Sequence, residues 1–210
     1  MSDISFKDFD ILSEQDKAEA VALLQRYDQL EKQDGCQSDF ISFIKHMWPD
    51  FIEGRHHKII ADKFNKIADG KLKRLIVCLP PRHSKSEFAS TFFPAWMMGR
   101  RGNLKIIQTT HTAELAVRFG RKVRNIIDST EYQHIFPELK LQADNKSAGR
   151  WTSNQEGEFF AAGVGGAITG RGADLLIIDD PHSEQDALSP KALESAYEWY
   201  TSGPRQRLQP

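Results

Sequence analysis

The sequence is poor in cysteine and nearly balanced in charge: it has two cysteines, and 28 lysines and arginines against 29 aspartates and glutamates leave a formal net charge of −1. Two thiols cannot build the disulfide framework of a small secreted scaffold, and Cys36 and Cys78 stand far apart in the chain. Cys78 falls in the apolar run at 75–79, which predicts a buried thiol rather than a disulfide or a metal ligand. The charge balance excludes an overall basic nucleic-acid binder, so any DNA contact has to be local. No apolar run reaches the ~18 residues of a membrane-spanning helix. Residues 1–10, MSDISFKDFD, carry neither the positive region nor the apolar region of a secretory signal, and the expected location is the cytoplasm. With 40% hydrophobic residues, the 210-residue chain has material for one globular core plus a small extension.

Helical spacing comes first along the chain. Ser13 reads as an N-cap before an apolar stripe at Ala20, Leu23, Leu24, Tyr27 and Leu30, with Gly35 beyond, which predicts a peripheral helix over 13–32. A short helix is expected from Ser38 to Pro49, carrying Phe40, Ile41, Ile44, Met47 and Trp48. A third is expected over 56–68, with Ile59, Ile60, Phe64 and Ile67 inward and Gly70 as its stop. From residue 74 the pattern changes to short apolar runs at 74–79, 104–109, 158–163 and 174–179, read as strands. Helical patterns lie between and after them at 85–98, 112–129 and 189–200. Ile/Leu/Val strands alternating with helices predict an α/β fold with a mostly parallel sheet flanked by helices. The domain division expected is a helical N-terminal extension over 1–50 and one α/β domain over 51–210. Residues 141–150 read as a surface loop.

The chemistry concentrates after the first expected strand. LPPRHSKSE at 79–87 leads at once into a helix, and strand, tight loop, Lys-Ser, helix is the layout of a phosphate-binding P-loop (Walker A). Lys85 fits the phosphate lysine and Ser86 the magnesium hydroxyl. Both glycines of the usual pattern are missing, with Leu79 and Ser84 in their places, so a Pro-Pro turn before an ordinary capped helix reads the same loop differently. A second signal comes roughly ninety residues later, where DLLIIDDPH ends an apolar strand in two carboxylates. A strand-end aspartate beside such a loop (Walker B) holds magnesium and the next acid polarises water, roles that Asp179 and Asp180 fit. The glycine-rich stretch 164–174 between them contains Arg171, which could reach a phosphate of its own or a neighbouring subunit, or could merely pair with Asp174. Arg118, Arg121, Lys122 and Arg124, with Arg100, Arg101 and Lys105 upstream, form the best local basic group. Arg118, Arg121 and Lys122 share a helix face, which is either a DNA contact or a solvated surface. His56 and His57 lack a ligand partner at helical spacing other than Asp62, and zinc is not expected.

The words HH at 56–57, LPPRHSKSE at 79–87, FPAW at 93–96, GRKVRNII at 120–127, VGGAITGRGADLLIIDDP at 164–181 and WY at 199–200 together resemble the ATPase domain of large terminase subunits, the DNA-packaging motors of tailed bacteriophages and prophages. The resemblance covers nearly everything from residue 40 onward. It implies a P-loop NTPase of the RecA-like (ASCE) kind that hydrolyses ATP with Mg2+ to drive double-stranded DNA into a procapsid. ATP would lie on Pro81, Arg82, His83, Ser84, Lys85, Ser86 and Glu87, with Arg82 sensing the γ-phosphate and His57 near the adenine. Ser86 and Asp179 would hold the metal. Arg171 would be an arginine finger acting across a subunit boundary, and Asp180 would stand where many members carry glutamate, with Glu184 and His182 as further candidate bases. The partners implied are DNA held through its backbone, the portal protein and the small terminase subunit, around a homo-oligomeric, pentameric ring in the host cytoplasm, with no membrane. The coupling motif and nuclease domain of such proteins are not reached, so no nuclease activity is expected. Two rivals stand beside this: another DNA-stimulated P-loop ATPase or helicase, and a nucleotide-binding assembly module without turnover.

Overall fold

The computed structural model describes residues 13–168 and 170–209, at 143–146 by backbone alone. The signal-peptide expectation for residues 1–10 lies outside these. Helix α1, Glu14–Ser38, starts as expected, with the Ser13 side chain accepting from the Asp16 N–H, but it continues through Gly35. The extra turn is held by tertiary contacts: Cys36 is buried, and Gln33 and Gln37 both donate to the Ile135 carbonyl, at 3.0 and 2.6 Å. Asp39, not Ser38, then caps α2, Phe40–Met47, by accepting from the Ser42 N–H. Helix α3, Arg55–Ala68, is followed by Gly70 at φ +72°, the left-handed stop that glycine supplies cheaply. Ile59 faces solvent at 54% exposure rather than inward, whereas Ile60, Ala61 and Phe64 are buried.

Phe40 is the hub of the main core. Its ring meets Phe64, Phe88, Phe93 and Trp96 at centroid distances of 5.2–5.8 Å, mostly edge-on. Burying such rings contributes about 1.5–3 kcal/mol each. The core therefore joins α2 and α3 to a long helical stretch after residue 84, which is a π-helix over Glu87–Phe92 and then α4, Phe93–Arg100. Two buried polar tips are satisfied there. Trp96 donates its Nε1–H to the Cys36 carbonyl and Tyr132 its hydroxyl to that of Ala95, both at 2.8 Å.

Strands β1 (Lys105–Thr110), β2 (Leu141–Lys146), β3 (Arg150–Ser153), β4 (Glu158–Gly163) and β5 (Leu175–Ile178) form one sheet in the order β2-β3-β4-β1-β5. β1 pairs in parallel with β4 and β5, while β3 is antiparallel to both β2 and β4, so the sheet is mixed rather than mostly parallel. The antiparallel part is a hairpin built from the stretch read as a loop. Its anchor is Trp151, fully buried and stacked at 5.0 Å on Phe159, with Nε1–H donated to the Gly120 carbonyl at 3.1 Å. Gly120 lies on α5, Ala113–Ile127, and a Cβ there would stand 2.6 Å from the Ala148 carbonyl oxygen, so only glycine lets helix and hairpin approach this closely. Helix α6, Thr130–Ile135, which the spacing did not suggest, and α7, Pro190–Ser202, complete the α-helices among the described residues.

The expected strand at 74–79 forms no ladder. Leu75, Val77 and Leu79 lean on the main core while Ile76 stands 90% exposed and Cys78 is exposed. Unbroken apolarity over 75–79 predicts burial on both faces, but only one of them is covered. The expectation of a buried Cys78 thiol fails for the same reason, and the buried cysteine is Cys36. The two faces of the sheet also differ. Ile106, Phe159, Ala161 and Ile177 join the main core, and the alternate strand residues Ile107 and Ala162 form a smaller cluster with Ile168 and Ala173 of the connecting stretch. No helix among the described residues is long and apolar enough to cross a membrane.

Candidate active site

β1, β4 and β5 run in the same direction, so Thr110, Gly163 and the residues after Ile178 gather at one end of the sheet, where ligands of open parallel sheets bind. The loop at 79–84 arrives at this end, and Lys85 and Ser86 are the first helical residues after it. The Ser84 carbonyl accepts from the Phe88 N–H at 2.9 Å. Arg82 and Ser84 take φ values of +64° and +59°, a left-handed conformation that is costly for residues other than glycine. At Ser84 this is the conformation that the second missing glycine would have supplied, whereas Leu79, in the place of the first, has no positive φ. Pro81, Arg82 and His83 are exposed, and His83 Nδ1 lies 2.9 Å from the Pro81 carbonyl oxygen.

Lys85 meets both carboxylates. Its Nζ donates to Asp180 Oδ1 at 2.5 Å and lies 3.8 Å from Asp179 Oδ1. Consecutive residues leaving a strand point to opposite sides. Asp180 reaches the same lysine because its φ of +44° turns the chain back, while the His111 N–H donates to its carbonyl at 3.2 Å. Partial burial works against the Lys85 charge, but the Asp180 hydrogen bond and the Asp180 and Asp179 charges outweigh it and raise the ammonium pKa above its usual value. Asp179 is 7% exposed and its Oδ2 accepts from the Ser90 hydroxyl at 2.8 Å, whereas Ser86 makes no hydrogen bond to it. Ser90 was not expected in the site. It sits one turn beyond Ser86, and only that spacing in the sequence could have pointed to it.

The remaining expected residues divide. His57 is buried behind the loop, stacked on Phe88 at 4.9 Å, and its Nδ1 accepts from the Gly54 N–H at 2.9 Å. Burial, then the neighbouring His56, lowers its pKa against the pull of Glu53. His56 lies between His57 and the loop, its ring 3.8 Å from His57 and 5.5 Å from His83. Glu87 is ion-paired with Lys122 of α5 in a partly exposed position, so that member of the basic group is engaged, while Arg118 and Arg121 stay exposed. Arg171 is far from Lys85. It pairs with Glu158 and lies 4.1 Å over the Phe160 ring, at the end of the sheet where β4 and β5 begin. A cleft of about 790 Å³ opens beside Asp180, lined by His111, His182, Ser183 and Glu184 among others.

A lysine and two carboxylates gathered at the start of a helix have the chemistry to take an anion together with a cation. Among the described residues no group of three or more histidines, cysteines or carboxylates is placed to hold a metal alone. The Asp179 carboxylate and the Ser86 hydroxyl are oxygen donors of the kind that Mg2+ takes alongside waters and ligand oxygens. No protein-family model matches the chain, and no curated protein matches it either.

Proposed function

We propose that this chain is an Mg2+-dependent ATPase of the P-loop, RecA-like kind, the motor part of a large terminase that moves viral double-stranded DNA. The observation that carries the reading is the meeting of Lys85, at the start of a helix after a left-handed loop, with Asp179 and Asp180 at the end of parallel strand β5. Phosphoryl transfer asks the protein mainly to position groups and neutralise charge. Lys85 has the charge and reach to exchange Asp180 for phosphate oxygens. Exposed Arg82 at the loop apex can approach the outermost phosphate, and the first N–H groups of the helix add donors. Bound Mg2+ would supply Lewis-acid neutralisation from Asp179 and Ser86. Once Lys85 has turned away, Asp180 faces the cleft shared with His182 and Glu184 and is the group able to hold and orient a water there. Buried His57 backs the loop on the adenine side.

DNA would meet Arg118 and Arg121 through backbone phosphates, since a translocating motor cannot depend on base sequence. The Glu87–Lys122 pair ties that helix to the one beginning at the phosphate loop. Arg171, on the far side of the subunit, suits a finger offered to a neighbour in a head-to-tail, pentameric ring, once released from Glu158. Portal protein and small terminase subunit are the further partners of this reading, in the host cytoplasm. A second reading, nucleotide binding without turnover, draws on the closed Lys85–Asp180 pair. Phosphate release by the chain and by Lys85→Ala, with and without duplex DNA, tests both. Release by the parent that DNA stimulates and Lys85→Ala abolishes is expected, and equal negligible rates would remove the enzyme reading.

A further inference from the structure

The buried carboxylate of the site has a partner that no motif marks. Ser90 is fully buried in the π-helix Glu87–Phe92, where the Phe93 N–H bonds to the Phe88 carbonyl across a widened turn. Such turns are rare and gather at functional sites. The Ser90 hydroxyl donates to Asp179 Oδ2 at 2.8 Å, and its carbonyl accepts from Gln108 Nε2 at 3.1 Å. Gln108 is itself fully buried on β1, opposite Ile177 of β5, and the Asp179 N–H donates to the Thr109 carbonyl at 2.9 Å. The serine, the glutamine and the aspartate thus close one rigid ring through π-helix, β1 and β5.

Within this ring the two oxygens of Asp179 differ. Oδ2 is held by Ser90, while Oδ1 faces Lys85 at 3.8 Å, beyond hydrogen-bond reach. Ser86 and Ser90 lie about one turn apart on the same side of the helix, so the two hydroxyls can divide the work. We propose that Ser90 is a positioning residue for Asp179, fixing Oδ2 so that Oδ1 is presented to a divalent cation, with Ser86 left free to be a direct ligand. The assignment rests on the nucleotide-site reading above. Groups that orient metal ligands in this way are typically worth about 10–100-fold in metal affinity.

The test uses the whole chain and a fluorescent ADP analogue, titrated with Mg2+ and, separately, bound in excess chelator, with a thermal melt for each variant. Ser90→Ala is expected to raise the half-saturating Mg2+ concentration about tenfold or more, leaving chelated-nucleotide affinity within about twofold. Ser90→Cys, close in size but a much weaker donor, moves the same way by a smaller factor and carries the test if the alanine variant does not fold. A Mg2+ titration unchanged in both variants, or equal losses with and without metal, overturns the assignment. Lys85→Ala in the same assay separates the two claims. If Lys85→Ala weakens nucleotide binding while the Ser90 variants behave as the parent, Ser90 alone is misassigned. A parent chain that binds no nucleotide refutes the site reading and the Ser90 role with it.

Discussion

Asp180→Asn should tighten nucleotide binding while slowing turnover. In the structure Lys85 spends its charge on Asp180, and phosphate must displace that carboxylate to gain the lysine. The Asp180 side chain is 62% exposed and that of Lys85 24%, so the pair sits in a well-screened setting where ion pairs contribute about 0.2–1 kcal/mol. Freeing Lys85 should therefore improve affinity by roughly 1.5- to 5-fold. Asparagine is the right replacement because φ is +44° at this position and asparagine tolerates the left-handed region far better than alanine. The assay is calorimetric or fluorescent titration with ADP in excess chelator, which removes any effect of Asp180 on metal, followed by phosphate release with Mg2+. Unchanged or weaker chelated-nucleotide binding by Asp180→Asn would refute the competition, and unchanged phosphate release would remove Asp180 from the water-orienting role.

Ser84→Gly relieves a φ of +59° worth about 1–2 kcal/mol, offset in part by glycine's larger unfolded-state entropy, so the melting temperature should rise by about 2–4 °C at most and should not fall. Trp151→Ala empties the filled space against Phe159 and frees the Gly120 carbonyl, and urea unfolding should show a loss of about 3–5 kcal/mol. The pKa of His57 is lowered, so the folded state binds fewer protons than the unfolded chain. Stability is then fully present above the ordinary histidine value of 6.5 and is lost as pH falls below it. Urea midpoints at pH 7.5 and 5.5 should show that loss, and His57→Phe should flatten it.

The alternation of strands and helices, the caps at Ser13 and Gly70 and the loop leading into Lys85 were all legible because each depends on local spacing or local turn chemistry. The hairpin was not, since its stability comes from Trp151 packing under α5, a contact between distant segments. Residues 74–79 misled because uniform apolarity says that a segment can be buried but not that a neighbour pairs with it. At the site, Lys85 and Asp179 could be matched by their places at the start of a helix and at a strand end, although the segment before the Lys85 loop is not a strand. Ser90 was marked only by standing one turn beyond Ser86, and it is the π-turn and β1 that bring it to Asp179. The position of Arg171 was hidden, because the glycine-rich stretch around it has no period from which to tell which end of the sheet it reaches.

Nucleotide affinity measured on the parent chain and on Lys85→Ala decides whether Lys85 exchanges carboxylate for phosphate. Loss of a charged donor to phosphate is worth about 1.5–3 kcal/mol, so ADP affinity should fall by roughly tenfold or more. Substitution of Lys140, an exposed lysine outside the site, should leave it unchanged. Equal affinities for the parent and Lys85→Ala would show that Lys85 takes no phosphate.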